Sequence, residues 1–165
     1  IRWSQIEEML NGGIKMMGLI AFVMLVASGY ATVINASGGV PSLVDAAVEA
    51  FGGSKVVGSI VMTVLGLLIT MGIGTSFGTV PVIASIYVPL ATQLGFSPAA
   101  IIFIISVAAA LGDAGSPASD TTLGPTSGLN ADGQHDHIWD TCVPQFICYD
   151  IPLLIIGIIW PLILG

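Results

Sequence analysis

The sequence predicts an all-α integral membrane protein with interrupted helices. Three observations indicate this class: 55% of the 165 residues are hydrophobic, only 8% are charged, and long apolar runs alternate with short segments of Gly, Ser, Thr and Pro. A soluble domain has about 25% charged residues, so such a small share could not cover a water-exposed surface. Apolar runs of this length fit the hydrocarbon core of a bilayer instead.

The charge balance argues against a nucleic-acid partner. Ten acidic residues outnumber three basic ones, which gives a net charge of −7, whereas phosphate binding requires clustered Lys and Arg. The sequence also lacks a polybasic segment for anionic headgroups. The expected surroundings of the chain are therefore the apolar part of the membrane lipid.

The first apolar run, residues 15–35, is predicted to be a transmembrane helix. About 20 residues at 1.5 Å per residue cross a hydrocarbon core of ~30 Å. Arg2 and Lys15 make its amino end the basic end, which predicts a cytoplasmic location for that end. Since the chain starts without Met and without a signal peptide, we expect it to be part of a longer protein.

Residues 41–51 are predicted to form a short amphipathic helix that lies in the membrane interface. Pro41 is near its start, and Gly52–Gly53 follow its end. Asp45 and Glu49 lie four residues apart and are interpreted as a solvated face. The predicted apolar face consists of Leu43, Val44, Ala47 and Ala50–Phe51.

Residues 55–96 are predicted to form a re-entrant helical hairpin. Two apolar arms, 56–73 and 80–94, flank the tip GTSFGTVP at 74–81. Each arm is roughly 23–27 Å long by helix rise, so two full spans joined by a surface turn are the alternative. A surface turn usually carries charge or Asn, whereas this tip has Gly, Thr and Ser. Such irregular backbone is tolerated at membrane depth when it packs in protein or lines a cavity.

Residues 98–130 are predicted to form a discontinuous transmembrane helix. The apolar segment 98–111 begins well, with Ser97 at the N-cap and Pro98 near the first helical position. At ~21 Å it is too short to cross the bilayer alone. The segment GDAGSPASD then interrupts the helix, and residues 117–130 can form a second, polar half-helix that starts with a proline.

The final apolar run, residues 143–164, is predicted to be the last transmembrane helix. Its length is sufficient to cross the bilayer, and Pro152 and Pro161 are expected to kink it. Cys142 and Cys148 lie on or near this run without CxxC spacing. We interpret both as small residues of a membrane helix.

The polar linker at 131–140 is expected to be cytoplasmic and outside the binding site. It contains His135 and His137, whose i, i+2 spacing diverges on a helix. A structural zinc site would also need a further His or Cys at fixed spacing. The two histidines are therefore interpreted as interfacial polar residues.

The interruption of the broken helix is predicted to bind a small cation. A carboxylate near the bilayer midplane costs ~2.5–3.5 kcal/mol on insertion scales, so Asp113 is expected to face a cavity, a partner or an ion. Free carbonyls of the first half-helix and the positive amino end of the second meet there, an arrangement typical of transporter sites. The expected Na⁺ ligands are Asp113, Ser116, Ser119, Thr75 and Ser76, and the wider ion- or substrate-binding set adds Gly74, Gly78, Thr79, Gly112, Asp120 and Thr121.

Two of these carboxylates have a structural alternative. Asp113 could cap a buried turn without a ligand, although an uncharged Ser or Asn could do the same. Asp120 lies three residues after Pro117, within the first helical turn, where an acid complements the helix dipole, so a site role and a capping role both stay open. The Gly-rich segment 72–78 is not a phosphate loop, because no strand precedes it and no Lys follows it.

The segments GTSFGT at 74–79 and GDAGSPASDTT at 112–122 resemble the motif pair of the NhaC-type Na⁺/H⁺ antiporter family, within the wider ion transporter superfamily. The likeness covers nearly the whole chain, as the carboxyl-terminal half of such a protein. It implies one inverted repeat in a plasma membrane, with a re-entrant hairpin and a broken helix. It further implies that an amino-terminal half of the same transporter supplies the partner elements, and it is compatible with a homodimer.

The sequence departs from the antiporters proper, which resemble GTSWGT and GDHCSPISDT. Phe77 replaces the Trp, and Ala114–Gly115 replace the His–Cys pair. The run at 122–144 resembles instead a subgroup described as amino-acid permeases, with histidine among the suggested substrates. The resemblance implies secondary transport with Na⁺ or H⁺ as the coupling ion and no other cofactor, either as cation–proton exchange or as coupled amino-acid uptake.

Two further function classes can be weighed against transport. A non-transporting scaffold subunit would tolerate apolar residues at Asp113 and in the tip at 74–79, and the intact Gly, Ser, Thr and Asp pattern argues against it. An enzyme is also disfavoured, since neither HExxH nor a Ser–His–Asp arrangement within a span is present.

Overall fold

The computed structural model describes residues 36–165 continuously and, before them, residues 6, 7, 9–12, 14, 18, 21, 22, 25, 26, 29, 32 and 33. The predicted transmembrane helix at 15–35 falls largely outside the described residues. The described part is all helical, as the sequence predicts. Its helices are α1 (Gly39–Ala50), α2 (Lys55–Ile73), α3 (Ser76–Gln93), α4 (Pro98–Ala110), α5 (Asp120–Leu129) and α6 (His137–Leu164).

Among the described helices, α2 and α6 are long and apolar enough to cross a bilayer. Helix α4 is equally apolar but has 13 residues, so it cannot span alone. It begins with Ser97, whose hydroxyl accepts a hydrogen bond from the backbone N of Ala100, and Pro98 follows at the first helical position. These two residues fix its start. The Ser97 hydroxyl satisfies a backbone N–H that has no partner within the helix, and Pro98 has no N–H to satisfy.

Helices α2 and α3 form an antiparallel pair that turns at Gly74. This glycine closes α2 in the left-handed region, with φ 75°. The Tyr87 hydroxyl of α3 donates to the carbonyl oxygen of Met62 in α2 at 2.7 Å. Near the open end, a Cβ placed on Gly58 would lie only 2.4 Å from Leu94 Cδ1, so the two helices approach closely there.

Helix α4 is the centre of the described bundle and packs against α2, α3 and α6. A Cβ on Gly66 of α2 would lie 2.3 Å from Ala108 Cβ, and a Cβ on Gly157 of α6 would lie 2.6 Å from Val107 Cγ1. The Thr70 hydroxyl donates to the Ala108 carbonyl at 2.8 Å. Small residues and hydroxyl-to-carbonyl bonds are the usual means of packing helices within a membrane.

Helix α1 packs against α3 through part of its predicted apolar face. Val44 is buried, and Ala47 and Phe51 pack beside it. Leu43 is 53% exposed, and the position of this face in the membrane interface stays a prediction. Leu43 lies 100° around the helix from Val44, whereas Ala47 and Phe51, three and seven residues after Val44, lie on the same side of the helix as Val44.

Helix α6 begins six residues before its predicted start. The Asp136 carboxylate accepts hydrogen bonds from the backbone N of Ile138 and of Trp139, both at 2.9 Å, and so caps the helix within the polar linker. Two stretches, His137–Cys142 and Phe146–Asp150, are π-helical. Each ends two residues before a proline, and wider turns accommodate a residue that lacks the backbone donor.

The two sides of α6 differ in burial. Asp150, Gly157 and Pro161 are buried against the bundle. On the outer side an isoleucine recurs every fourth residue and is between 44% and 66% exposed. A continuous apolar stripe is unusual on a soluble monomer but suits lipid or a further part of a longer protein. The stripe consists of Ile147, Ile151, Ile155, Ile159 and Ile163.

Candidate functional site

The broken region between α4 and α5 covers residues 111–119, called the interruption below. Helix α5 starts at Asp120, three residues later than predicted. The reason is local capping: Ser119 Oγ accepts from the backbone N of Thr121, and Ser116 Oγ accepts from the backbone N of Ala118, both at 3.2 Å. These bonds keep the residues around Pro117 in a turn, outside the helix.

Four oxygen atoms gather at the interruption around Asp113. Its carboxylate Oδ1 accepts a short hydrogen bond from the Ser119 hydroxyl. Its backbone carbonyl accepts from the Thr121 hydroxyl at 2.5 Å, and the two hydroxyl oxygens lie 2.8 Å apart. Each hydroxyl can donate to Asp113 or to the other hydroxyl, so the three residues form one hydrogen-bonded cluster. The structure thus brings together three of the predicted site residues.

Ser116 faces away from this oxygen cluster. It is fully buried, and its hydroxyl donates to the carbonyl oxygen of Met71 in α2 at 3.1 Å. The tip of the hairpin also touches the interruption, since a Cβ on Gly74 would lie 3.1 Å from the Ala118 carbonyl oxygen. A Cβ on Gly112 would lie 2.7 Å from the Leu67 carbonyl. Hairpin and interruption are therefore packed backbone against backbone.

The remaining predicted residues lie at the start of α3 or of α5. Thr75, Ser76 and Gly78 are half-buried, and Thr79 is buried with its hydroxyl donating to the Thr75 carbonyl at 2.8 Å. Their role as ligands stays a prediction. Asp120 is exposed in the first turn of α5, where it complements the helix dipole, while Ser119 is the capping residue.

Asp150 is a buried carboxylate at the interruption that the sequence analysis did not single out. It is 0% exposed, and its Oδ1 accepts from the backbone N of Gly112 at 3.3 Å. Its Oδ2 has no hydrogen-bond partner among the described residues. A Cβ on Gly115 would lie 2.5 Å from that oxygen, so a larger residue there would require the Asp150 side chain to shift. The sequence contained one signal that could have identified Asp150: it is an acid within an apolar run, and such residues are usually functional.

A cavity of ≈ 310 Å³ lies between the end of α2, the interruption and the start of α6. Its size is within the usual range for small-molecule pockets. It is almost entirely apolar and contains no charged side chain in its lining. The lining residues are Met71, Gly115, Pro117, Ile138, Cys142, Val143 and Phe146.

The linker at 131–140, expected to be cytoplasmic and outside the binding site, contacts the interruption through His137, and its place outside the binding site stays a prediction. His137 Nε2 lies 2.8 Å from the carbonyl oxygen of Pro117, and His137 also reaches Thr126 of α5. Among the described residues, no three His, Cys, Asp or Glu side chains are placed to share a metal ion. One carboxylate with neutral oxygens around it is a donor set for a hard cation rather than for zinc.

A model of the Na⁺/H⁺ antiporter family matches residues 1–158. The chain belongs to this family. An uncharacterized membrane protein of Vibrio parahaemolyticus is 54% identical over 99% of the chain. The "Putative amino acid transporter YuiF" of Bacillus subtilis is 59% identical over 98% of it. The Na⁺/H⁺ antiporter NhaC of Alkalihalophilus pseudofirmus is 31% identical over 95% of it.

The chain spans about a third of these family members, namely 37%, 36% and 34% of the three relatives in the same order. No solved structure matches it. Membership of the Na⁺/H⁺ antiporter family and the names of the relatives identify the chain as part of a membrane protein of a transporter family. This agrees with the exposed isoleucine stripe on α6.

Proposed function

We propose that this Na⁺/H⁺ antiporter family member is part of a secondary active transporter that exchanges a small cation, Na⁺ first, for protons across the plasma membrane. The observation that carries the proposal is the oxygen cluster of Asp113, Ser119 and Thr121 at the interruption. It combines one negative charge with carbonyl and hydroxyl oxygens, and unwound backbone at a broken helix is a common Na⁺ site in transporters.

Charge supports the same assignment. Lys55 is the last basic residue of the chain, so no Lys or Arg follows in 56–165. In the described part, neither Asp113 nor Asp150 has an ion-pair partner, although Asp150 is fully buried. Buried carboxylates in apolar surroundings are costly unless paired, protonated or bound to a cation. A transported cation and a proton are the two species that would neutralise them.

In this proposal α2 and α3 form a re-entrant hairpin, and α4 with α5 forms the broken helix of one inverted repeat. The relatives are about three times longer than the chain, which leaves room for an amino-terminal half with the partner repeat. That half would face the interruption. Its residues, together with Thr75 and Ser76 of the tip, would complete the set of cation ligands. The whole would be a multi-pass protein, and a homodimer is compatible with the outer apolar stripe.

A second candidate function is Na⁺- or H⁺-coupled amino-acid uptake. The printed name of the Bacillus subtilis relative favours it, and so does the apolar cavity of ≈ 310 Å³ beside the interruption. The amino end of α5 would attract a substrate carboxylate, and the cavity would take its side chain. The oxygen cluster at Asp113 would then hold the coupling ion.

The two candidates differ in one assay on the full-length natural protein in proteoliposomes. An outward-directed Na⁺ gradient should acidify the lumen if exchange occurs, and the change should vanish when choline replaces Na⁺. A lumen that stays at constant pH, together with Na⁺-dependent uptake of a radiolabelled amino acid, would reject exchange and favour the permease. Protein-free liposomes are the control for leakage.

The re-entrant geometry predicts that Ser54 and Gln93, at the open end of the hairpin, lie on one side of the membrane. Single cysteines at these positions in a cysteine-free background should react equally with an impermeant thiol reagent from the extracytoplasmic side. Gln93 is preferable to Gly95, whose φ of +81° does not suit a side chain. A cysteine at Ser76 should react poorly. Two full spans would also put Ser54 and Gln93 on one side, but they would expose Ser76 on the other side, so strong labelling of Ser76 from the cytoplasmic side would show two full spans instead.

A further inference from the structure

A chain of hydrogen-bonded side chains connects the loop before α6 with the interruption. His135 Nε2 lies 2.6 Å from Thr141 Oγ1, which lies 3.0 Å from Thr126 Oγ1. Thr126 Oγ1 lies 2.7 Å from His137 Nδ1, and His137 Nε2 lies 2.8 Å from the Pro117 carbonyl oxygen. All four contacts have hydrogen-bond length, so the connection is continuous.

The direction of these hydrogen bonds follows from the end at the Pro117 carbonyl. A carbonyl oxygen accepts only, so His137 carries a hydrogen on Nε2, and in the neutral ring its Nδ1 accepts from Thr126. Thr126 has one hydroxyl hydrogen, so in this neutral state it would have to accept from Thr141, the reverse of the Thr126-to-Thr141 bond that the structure gives. Thr141 in turn would accept from the Nε2–H of His135. With both rings neutral, each hydrogen therefore points toward His137, and the bond between the two threonines is reversed.

The opposite direction, with His137 protonated, agrees with the Thr126-to-Thr141 bond of the structure. The Nδ1–H of His137 then donates to Thr126, Thr126 donates to Thr141, and Thr141 donates to Nε2 of His135. The bond from His137 Nε2 to the Pro117 carbonyl is retained in both states. The structure therefore fits the state with the extra proton on His137, and the neutral state differs from it by one proton and by reversal of the two threonine hydroxyls.

Passage between the two states moves one proton. A proton that binds Nδ1 of His135 makes that ring cationic, and its Nε2–H passes to Thr141. Thr141 gives its own hydrogen to Thr126, and Thr126 gives its hydrogen to Nδ1 of His137. One proton enters at His135 and one arrives at His137, while His135 ends neutral with its hydrogen on Nδ1. No other bond forms or breaks.

The groups around the chain suit this transfer. Both histidines are half-buried, and Cys142 Sγ lies 3.6 Å from His137 Nε2. Nearby acids are Asp132, Asp136 and Asp140, whose carboxylates accept backbone N–H bonds in the loop and the first turn of α6. No Lys or Arg lies between 56 and 165.

We propose that His135, Thr141, Thr126 and His137 form a proton pathway from the loop to the interruption, with His137 as the inner proton-binding group. The proposal rests on the exchange function above and names the route by which its proton reaches the site. None of the four residues belongs to the oxygen cluster at Asp113. Cation binding and proton delivery are thus carried by different side chains, which makes them separable by experiment.

The test breaks the chain without touching a histidine or an ion ligand. Thr126→Val keeps the shape of Thr126 but removes its hydroxyl, so Na⁺-driven proton flux in proteoliposomes of the full-length protein should fall about 10²- to 10⁴-fold, the scale of one lost proton-transfer group. Thr126→Ser should restore it. Thr92→Val, which removes an exposed hydroxyl bonded only within α3, should leave flux unchanged. Na⁺-dependent thermal stabilisation should be the same in all four proteins.

A Thr126→Val protein with wild-type flux would overturn the pathway, as would a loss of flux accompanied by an equal loss of Na⁺ stabilisation. A second readout does not depend on transport. ¹⁵N NMR of the histidine rings should find a hydrogen on Nε2 of His137, and Thr126→Val should shift the His137 Nδ1 resonance. If the wild-type protein shows no Na⁺-driven flux, exchange fails, and His137 with its hydrogen on Nδ1 would then reject the pathway independently.

Discussion

Asp113→Asn should lower the apparent Na⁺ affinity of the full-length protein by about two orders of magnitude or more. Asparagine keeps the size of the side chain and can still accept from Ser119, but the negative charge is lost. At an effective dielectric constant of about 20, one close pair of opposite charges contributes several kcal/mol. Each 1.4 kcal/mol is a factor of ten in affinity, which gives the expected change.

The measurement is Na⁺-dependent thermal stabilisation of the purified protein, wild type against Asp113→Asn. Glu49→Gln, which neutralises an exposed acid on α1, is the matched control and should behave as wild type. If Asp113 only caps a buried turn, the mutant should lose ~1 kcal/mol of stability with its Na⁺ response intact. That result would remove Asp113 from the site and leave Asp120 and the buried Asp150 as the carboxylates at the interruption.

Local features of the fold were predictable because they depend on neighbours in sequence. Ser97 followed by Pro98 predicts the start of α4, and the Gly- and Ser-rich segment after it predicts the break. The start of α6 was missed because its cap, Asp136, lies in a stretch whose polar composition resembles a linker. The start of α5 shifted because Ser119, rather than Pro117, satisfies its first free N–H groups.

The same distinction, between contacts of sequence neighbours and contacts of distant residues, applies to the candidate site. Asp113, Ser119 and Thr121 meet within nine residues of chain, so their grouping could be predicted. Asp150 contacts Gly112 across 38 residues, and His137 contacts the interruption across 20. Such contacts follow from how α6 packs against α4, which hydrophobic pattern alone does not determine, since α6 is apolar around most of its surface.

Gly112→Ala should be strongly destabilising, much more so than Gly133→Ala. Both glycines have φ of +75°, which costs any L-residue roughly 1–2 kcal/mol. They differ in their surroundings. A Cβ on Gly112 would lie 2.7 Å from the Leu67 carbonyl oxygen and 2.8 Å from the Met71 backbone N, whereas nothing lies within 4 Å of a Cβ on Gly133.

The difference between the two variants isolates the contact between hairpin and interruption. Backbone atoms of α2 cannot rotate away from a new methyl group, so α2 would have to move, and overpacking of this kind adds about 1–3 kcal/mol or more. Thermal unfolding in detergent should show a small decrease for Gly133→Ala and a large one, or loss of monodisperse protein, for Gly112→Ala. Equal decreases would mean that α2 does not approach the interruption in the full-length protein. The cation site would then also lack its contact with the hairpin, because Gly74 lies beside Ala118 only if α2 packs against the interruption.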